Sequence, residues 1–575
     1  MPILAHQFLV RGCGFAMNDE SLSVSKYWRW SVYGLLIAIS VGTMTARVMQ
    51  VESASRADPS PFLSANDKSR WATIRALVDE GTYVIDDIIF KEYENFDDLA
   101  ERKEDQRDPV WHSIDVVYHR GSDGKWHYYS SKPTLFPTLL AGEYWLIKKL
   151  TGATLEEKPF YVVRLMLLFT NVLPLGLALA ALAWLAEKYG TTDWGRMFVV
   201  ACGCGATCMT TFAVALNNHL PAAVSAMFTL ACLLPICWQR QEEWWRFAGA
   251  GLFAAFTAAC ELPALAFFVV VASMLVQRSP RQALVWFVPP ALLIAAAAVG
   301  TNYLAHDTWK PPYAQRQDGK TLAKFPLDEK TPIIPAAGDP TDQKRAPRIS
   351  LSSELQQWLA GGGVTVSPES WLEESRPNKR WVLVDPQSRE RFAMIKDEDQ
   401  EEIQVRQWGN WYEFPGSYWS SGNLQGVDRG ETSTALYAVH CLIGHHGLFS
   451  LTPIWLLTVL GLGLAITGRD RDWRELSIAV VLISLAVLAF YLTRSQIDRN
   501  YGGVSCCLRW MLWLAPLWLV AMLPAADWAS PSRRACWFCL AFLAISAFSA
   551  TYNSLNPFSH PWIFEYWQYL GWMKY

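Results

Sequence analysis

SANDKSRWATIRALVDEGTYVIDD, residues 64–87, follows the first long apolar segment of the chain. It carries an acid, Asp67, with two arginines nearby, Arg70 and Arg75. Trp71, Ile74, Leu77 and Val78 recur at helical spacing, which puts Asp67 at the start of a short amphipathic helix. Asn66 or Asp67 is expected to cap that helix and Gly81 to end it. An acid at such a place is either a cap on a surface helix or a functional group. Its location, in a polar loop pinned against a membrane face, weights the functional reading.

Composition sets the class. The 575 residues are 51% hydrophobic, 13% aromatic and 18% charged, where soluble proteins carry about 25% charged residues. The 29 tryptophans fit interfacial belts, where an amphipathic ring sits at headgroup depth. A formal charge of -3 argues against nucleic acid as a partner. No Gly-rich phosphate loop, dinucleotide fingerprint or HExxH is present. The chain reads as a polytopic membrane protein. Cys202, Cys204, Cys208, Cys232, Cys237, Cys260, Cys536 and Cys539 lie in apolar segments, where cysteine behaves as a small hydrophobe. A zinc site among them is not expected. The polar loops offer no disulfide framework, with Cys441 alone at the end of the second.

Residues 1–26 read as a cytoplasmic tail. Tyr27–Val51 exceeds the ~7–15-residue apolar core of a signal peptide and reads as an uncleaved first span. An exterior loop, about 52–131, comes next. It holds a charged stretch, Lys91–Asp108, and a hairpin signal, Ile114–His119 and Lys125–Ser130 around Gly121-Ser122-Asp123-Gly124. The loop ends at Ser131-Lys132-Pro133, where the helix TLFPTLLAGEYWLI begins. Lys132 is either a snorkelling lysine or a cation held for an anionic headgroup. Further apolar segments fall at about 160–186, 195–216, 219–238, 244–260, 262–278, 283–304, 449–467, 474–494, 504–525 and 533–552. Arg278/Arg281, Arg469/Arg471/Arg474 and Arg533/Arg534 mark inside ends, leaving 305–445, 495–503 and the tail 553–575 outside. Strict alternation then misses by one span. Either one segment is re-entrant or one long stretch is two; the helix after Lys132 is the first suspect, and 244–278 the second. Between 11 and 13 spans are expected, in an N-terminal region 27–304 and a C-terminal region 446–552.

The 305–445 loop is the other stretch able to form a domain. Arg380–Val384, Arg391–Ile395 and Glu402–Gln407 alternate as a small β-meander, with turns at Asp385-Pro386 and Asp397–Gln400. The aromatics Trp408, Trp411, Tyr412, Phe414, Tyr418 and Trp419 fit a membrane belt better than a sugar platform. His440, His445 and His446 read as interfacial, although their spacing would let a metal bind. Past the exterior link 498–503, whose glycine pair allows a tight turn, Arg509 lies a turn or two inside a span. A charge there is expensive without a partner and is read as functional.

A first span, a loop acid opening an amphipathic helix, a Lys-Pro at the next helix and a late Tyr-Gly-Gly-x-Ser-x-x-x-Arg-Trp element come in that order. This order resembles the GT-C superfamily of membrane glycosyltransferases, in the branch of protein O-mannosyltransferases and lipid A aminoarabinose transferases. The resemblance covers about 27–304 and 446–552. It implies a mostly α, GT-C-like bundle with extracytoplasmic loops, one bearing a small β-containing insertion. It also implies sugar transfer from a polyprenyl-phosphate donor to a lipid, glycan or protein hydroxyl, at the extracytoplasmic face of the inner membrane. By similarity Asp67 matches the catalytic acid, Lys132 the lysine that contacts the lipid phosphate, and Arg509 the late arginine. Arg70 and Tyr501 join them as substrate-binding. Asn66-Asp67-Lys68 departs from the family's acid pairing, and the 65 residues from Asp67 to Lys132 make a long loop. Asp58, Asp86 and Asp87 therefore stay open as the acid.

Such a transfer needs a base near the nucleophile, worth ~10²–10⁴-fold, and cations over the leaving phosphate. A single base opposite the leaving group implies inversion. Asp86-Asp87 and Asp97-Asp98 read as solvated loop charge, so no metal is expected. A flippase or transporter of lipid-linked sugars and a non-catalytic membrane scaffold are the alternatives. The first would favour charges at mid-membrane, where Arg164 and Glu261 are the candidates.

Overall fold

Ser64, rather than Asn66 or Asp67, caps the helix that opens the first loop. Its hydroxyl accepts the Asp67 amide, the helix runs Ala65–Asp79, and Gly81 follows at φ +72. Ser64 is extended at φ -153, ψ 164, as a capping residue must be for its oxygen to reach an orphan amide. Asp67 is thereby drawn into the first turn. The computed structural model describes residues 19–53, 55, 57–91, 107–327, 348–376, 379–388, 390–397, 401–414, 417–419 and 424–573. Most of the expected tail, most of the Lys91–Asp108 stretch with Asp97-Asp98, and most of the turn at Asp397–Gln400 lie outside the described residues.

Seven helices are long and apolar enough to cross a membrane: Lys26–Met49, Pro159–Tyr189, Asp193–Val214, His219–Gln239, Pro280–His306, Arg471–Leu492 and Arg533–Tyr552. The pair Arg509–Ala521 and Leu523–Ala529, bent by 44°, makes an eighth. Trp244–Cys260, Leu262–Arg278 and Ile454–Thr467 are shorter and apolar. Among the described residues seven helices, or eight with the bent pair, have the length of a span, fewer than the 11–13 expected; eleven is reached only if these three shorter helices cross as well. Ion pairs mark one end of the bundle. Arg29 meets Glu187 and Asp193, each at 2.9 Å, and Asp527 accepts the amides of Thr191 and Thr192. Exposed Trp28, Trp244, Trp528 and Trp537 lie near helix ends, as an interfacial belt requires. The first-loop helix packs at the opposite end, where Asp67 accepts the amide of Leu216.

Leu135–Thr151 resolves the alternation problem, because both its ends stay at the first-loop end of the bundle. Thr134, just before it, meets Thr301 at 3.0 Å. At its far end Lys148 pairs with Asp79 at 2.7 Å, Arg75 with Glu156 at 2.8 Å, and Arg164 donates to the carbonyl of Val51, where the first span ends. The helix lies along Ala65–Asp79 instead of crossing. Its lysines fall in the last turn, where they also complement the helix dipole.

The hairpin forms as expected: β1 (Val116–Arg120) pairs antiparallel with β2 (Trp126–Ser130). Asp86 pins it to the loop by accepting the Tyr128 amide at 2.7 Å and meeting His127 Nδ1 at 2.6 Å. The long loop holds a six-stranded antiparallel sheet. Its strands are β3 (Thr321–Pro326), β4 (Arg348–Ser350), β5 (Trp371–Arg376), β6 (Arg380–Asp385), β7 (Glu390–Asp397) and β8 (Glu402–Gln407), in the order β3-β8-β7-β6-β5-β4. β6, β7 and β8 are the expected meander. Helix Ser353–Gly361 covers one face, with Leu355 and Leu359 packed against Leu383, Met394 and Val405.

The aromatic segment 408–419 does a different job from the expected membrane belt. The Trp411 carbonyl accepts the Tyr118 amide, Trp419 Nε1 donates to the Ile114 carbonyl, and the His119 ring stacks on Trp411 at 3.9 Å. These rings fasten the sheet domain to the first-loop hairpin, and in doing so roof the space between them.

Candidate active site: a cationic cavity at the end of the bundle

A cavity of about 990 Å³ opens at the first-loop end of the bundle. Its polar wall comes from the first-loop helix, the Ser131-Lys132-Pro133 corner and the link before Arg509. Its apolar wall includes Leu262, Ala298, Val299, Phe490 and Tyr491, at or near the ends of spans. Polar loops and lipid-depth surface thus face one space.

Arg70, one turn beyond Asp67, lines this cavity and is itself buried. Its Nε donates to Asn218 Oδ1 at 3.0 Å and its Nη1 to the Asn66 carbonyl at 2.7 Å. Lys132 lines it too, with Nζ 2.9 Å from Asp115 Oδ1. Asp115 is set by the residues around it: its amide donates to the Ser113 hydroxyl and its carbonyl accepts the Ser131 amide. Burial pulls the Lys132 ammonium down to about 8, against the pull of Asp115 in the other direction. Burial also lowers Arg70 to about 10. The two cations and Arg509 lie close enough to perturb one another.

Arg509 reaches the cavity because the preceding backbone turns sharply. Tyr501, Gly502 and Gly503 all have positive φ, at 61°, 91° and 77°. A Cβ at Gly502 would stand 2.6 Å from Arg509 Nε, so the guanidinium lies across bare backbone. Its plane carbon sits 5.5 Å from the Phe558 ring centre. Among the described residues no carboxylate lies within ion-pair distance of Arg70 or Arg509. Three cations therefore gather near Asp115, with Glu261 and Asp428 on the same wall but outside ion-pair distance of the two arginines. Two of the three cations are left without a direct ion-pair partner among the described residues in a recessed site, which suits an anion there.

The structure brings together Lys132, Arg509 and Arg70 of the five residues singled out from the sequence. Asp67 stands apart. It is 1% exposed and is not on the cavity wall, and its carboxylate accepts the amides of Leu63 at 3.0 Å and Leu216 at 3.3 Å. Burial raises it to about 7 in spite of those bonds. Tyr501 also faces elsewhere: its hydroxyl donates to Glu431 at 2.9 Å and its ring stacks on His446. Of the open acids, Asp86 holds the hairpin, and neither Asp58 nor Asp87 reaches the wall.

Sequence reasoning missed Asp115, Asn218, Asp428 and the pair His219–Glu261, with 2.6 Å between Nδ1 and Oε1. Asp115 sits just before β1 in a stretch read only as hairpin, and nothing in its spacing shows that the corner at Lys132 returns to it. Glu261 was visible as a charge within an apolar run. It falls at the break between Trp244–Cys260 and Leu262–Arg278, on the cavity wall and away from mid-membrane. Arg164 is likewise near a span end, donating to Val51.

No protein-family model matches the chain, and no curated protein matches it. Solved structures align over most of it. The apo oligosaccharyltransferase of Archaeoglobus fulgidus aligns with 95% of this chain at 12% identity and a TM-score of 0.39. The same protein, AglB, in complex with an inhibitory peptide and a dolichol-phosphate aligns at 13% identity and the same TM-score. This chain spans 58% of the length of that archaeal protein. The Saccharomyces cerevisiae protein O-mannosyltransferase Pmt1-Pmt2 complex bound to the sugar donor aligns over 94% of this chain and 92% of the other, at 10% identity and a TM-score of 0.39.

Proposed function

We propose that the protein is a membrane glycosyltransferase that moves a sugar from a polyprenyl-phosphate donor to an acceptor hydroxyl, with inversion. The observation that carries this is the convergence of Arg70, Lys132 and Arg509 on one cavity that also has an apolar wall, with no carboxylate at ion-pair distance from either arginine among the described residues. The cations would hold the donor phosphate and stabilise the charge it gains as its bond to the sugar breaks. The apolar wall would admit the start of the lipid chain. Arginine clusters at the end opposite the cavity, with Arg278, Arg471 and Arg533 at helix termini there, support an extracytoplasmic cavity.

In the step proposed, the acceptor oxygen attacks the anomeric carbon and the carbon–oxygen bond to phosphate breaks. The acceptor proton passes to a carboxylate, and the lipid phosphate leaves with the electron pair. Asp115 takes the role that the sequence gave to Asp67, because Asp115 lines the cavity and Asp67 does not. One displacement opposite the leaving group inverts the sugar. Asp67 is then a structural acid that ties the first-loop helix to Leu63 and Leu216.

The test follows loss of label from a panel of radiolabelled polyprenyl-phosphate sugars by purified protein in lipid. Asp115→Asn should abolish turnover while donor still binds. Loss of turnover in Asp67→Asn with Asp115→Asn active would return the base to Asp67. Donor binding with no turnover in the wild type, on every acceptor class tried, would favour a transporter.

A further inference from the structure

The Tyr501–Gly503 turn has a second face. Gly502 and Gly503 line the cavity, but the Tyr501 ring packs the other way, against His445 and His446. On that side Glu431, His440 and His445 offer ligand atoms within 4.8 Å of one another. We propose that Glu431, His440 and His445 form a binding site for a divalent transition-metal ion of the zinc class.

The histidines expected at a membrane surface are packed inside the protein, with His445 and His446 both 0% exposed. His440 lies on helix Thr434–Leu442, and Gly444 lets the chain fold back so that His445 stacks on it at 4.1 Å. A Cβ at Gly444 would be 2.5 Å from His440 Nδ1, so the fold-back is built around that nitrogen. His440 Nδ1 and His445 Nε2 are buried, and neither has a hydrogen-bond partner among the described residues. Leaving such atoms unmade costs free energy, and each one calls for a partner.

The surroundings match what a metal site needs. His445 Nδ1 lies 2.5 Å from His446 Nδ1, and an imidazole held through one nitrogen presents the other to an ion. The Tyr501 hydroxyl donates to Glu431 Oε1, the outer bond that orients a ligating carboxylate. Two imidazoles and one carboxylate suit zinc and its neighbours, whereas magnesium and calcium prefer oxygen alone. Three protein ligands leave a fourth position for water. The Glu431 amide donates to the Arg499 carbonyl at 3.0 Å, so an ion here would clamp helix Thr434–Leu442 to the turn that presents Arg509. This site lies outside the cavity and stands independently of the transferase reading.

The full-length protein in lipid is stripped with chelator, given one equivalent of zinc chloride and washed. Metal is then counted by mass spectrometry and its ligands read by zinc K-edge absorption. The expected result is one zinc per chain in a nitrogen and oxygen shell at about 2.0–2.1 Å. Glu431→Gln and His440→Gln, both at partly exposed positions, should each weaken retention at least tenfold. Equal retention by the variants, no retention by the wild type, or displacement by equimolar magnesium would overturn the proposal. So would a sulfur shell at about 2.3 Å, which would assign the ion to the thiols Cys208, Cys506 and Cys507.

Discussion

Lys132 and Asp115 are 17 residues apart in sequence, with the whole β1–β2 hairpin between them, and they close to 2.9 Å at its base. The hairpin therefore acts as a spacer that places an acid and a base side by side on the cavity wall. Removing one partner should leave the other buried and unpaired, at a cost on the order of 3 kcal/mol. Lys132→Met is expected to weaken binding of a polyprenyl phosphate at least tenfold. Titration of wild type and variant in the same lipid checks this, and equal affinities would separate Lys132 from the phosphate.

The same lysine should impose a pH dependence. Its free-state pKa is held near 8 by burial, and a bound phosphate would raise it. Affinity should be flat below about pH 8 and fall toward tenfold per unit above it, as the free protein loses the proton that binding requires. Lys132→Arg should move this fall to higher pH. A profile that is unchanged in the variant would assign the break to another group.

Asp67 gives a stability effect of opposite origin. Burial raises its folded-state pKa to about 7, whereas an unfolded aspartate titrates near 3.9. The folded protein thus holds a proton that the unfolded chain has released. Its contribution is full below about pH 4 and is lost as pH rises to about 7, on the order of 4 kcal/mol in all. Melting temperature should fall over that window in the wild type, and Asp67→Asn should flatten the slope.

Gly502 tests how Arg509 is placed. Alanine there meets a positive φ of 91° and a Cβ position 2.6 Å from Arg509 Nε. The backbone strain alone is on the order of 1 kcal/mol. Gly502→Ala is expected to keep its fold and lose donor affinity at least tenfold, whereas Gly81→Ala, with nothing within 4 Å of its Cβ, should show only the strain. Equal donor binding by both variants would mean that Arg509 does not hold the donor.

The membrane helices, the hairpin and three strands of the long loop were legible because each is a local pattern, an apolar run or an alternation with its turn. β3, β4 and β5 were not legible, since Trp371–Arg376 and its neighbours carry too many charges to alternate cleanly. The helix Leu135–Thr151 was flagged only through charge counting, which showed a mismatch of one span without giving its direction. Arg509 stood out in the sequence because a charge inside a span is expensive to desolvate, Lys132 because it precedes Pro133 at the start of an apolar helix, and Arg70 because it lies one turn from Asp67. Asp115 did not, since an aspartate before a strand is ordinary until the fold brings Lys132 to it. Asp67 and Tyr501 show the converse: position along the chain marked them, but side-chain direction turned them from the cavity wall.

The most direct test of the phosphate site is a cryo-EM map of the protein in lipid with saturating polyprenyl phosphate. The phosphorus density should fall within about 4 Å of both the Lys132 ammonium and the Arg509 guanidinium, with the lipid chain running past Phe490 and Tyr491. Density for the phosphate away from these cations, or an empty cavity at saturation, would contradict the account.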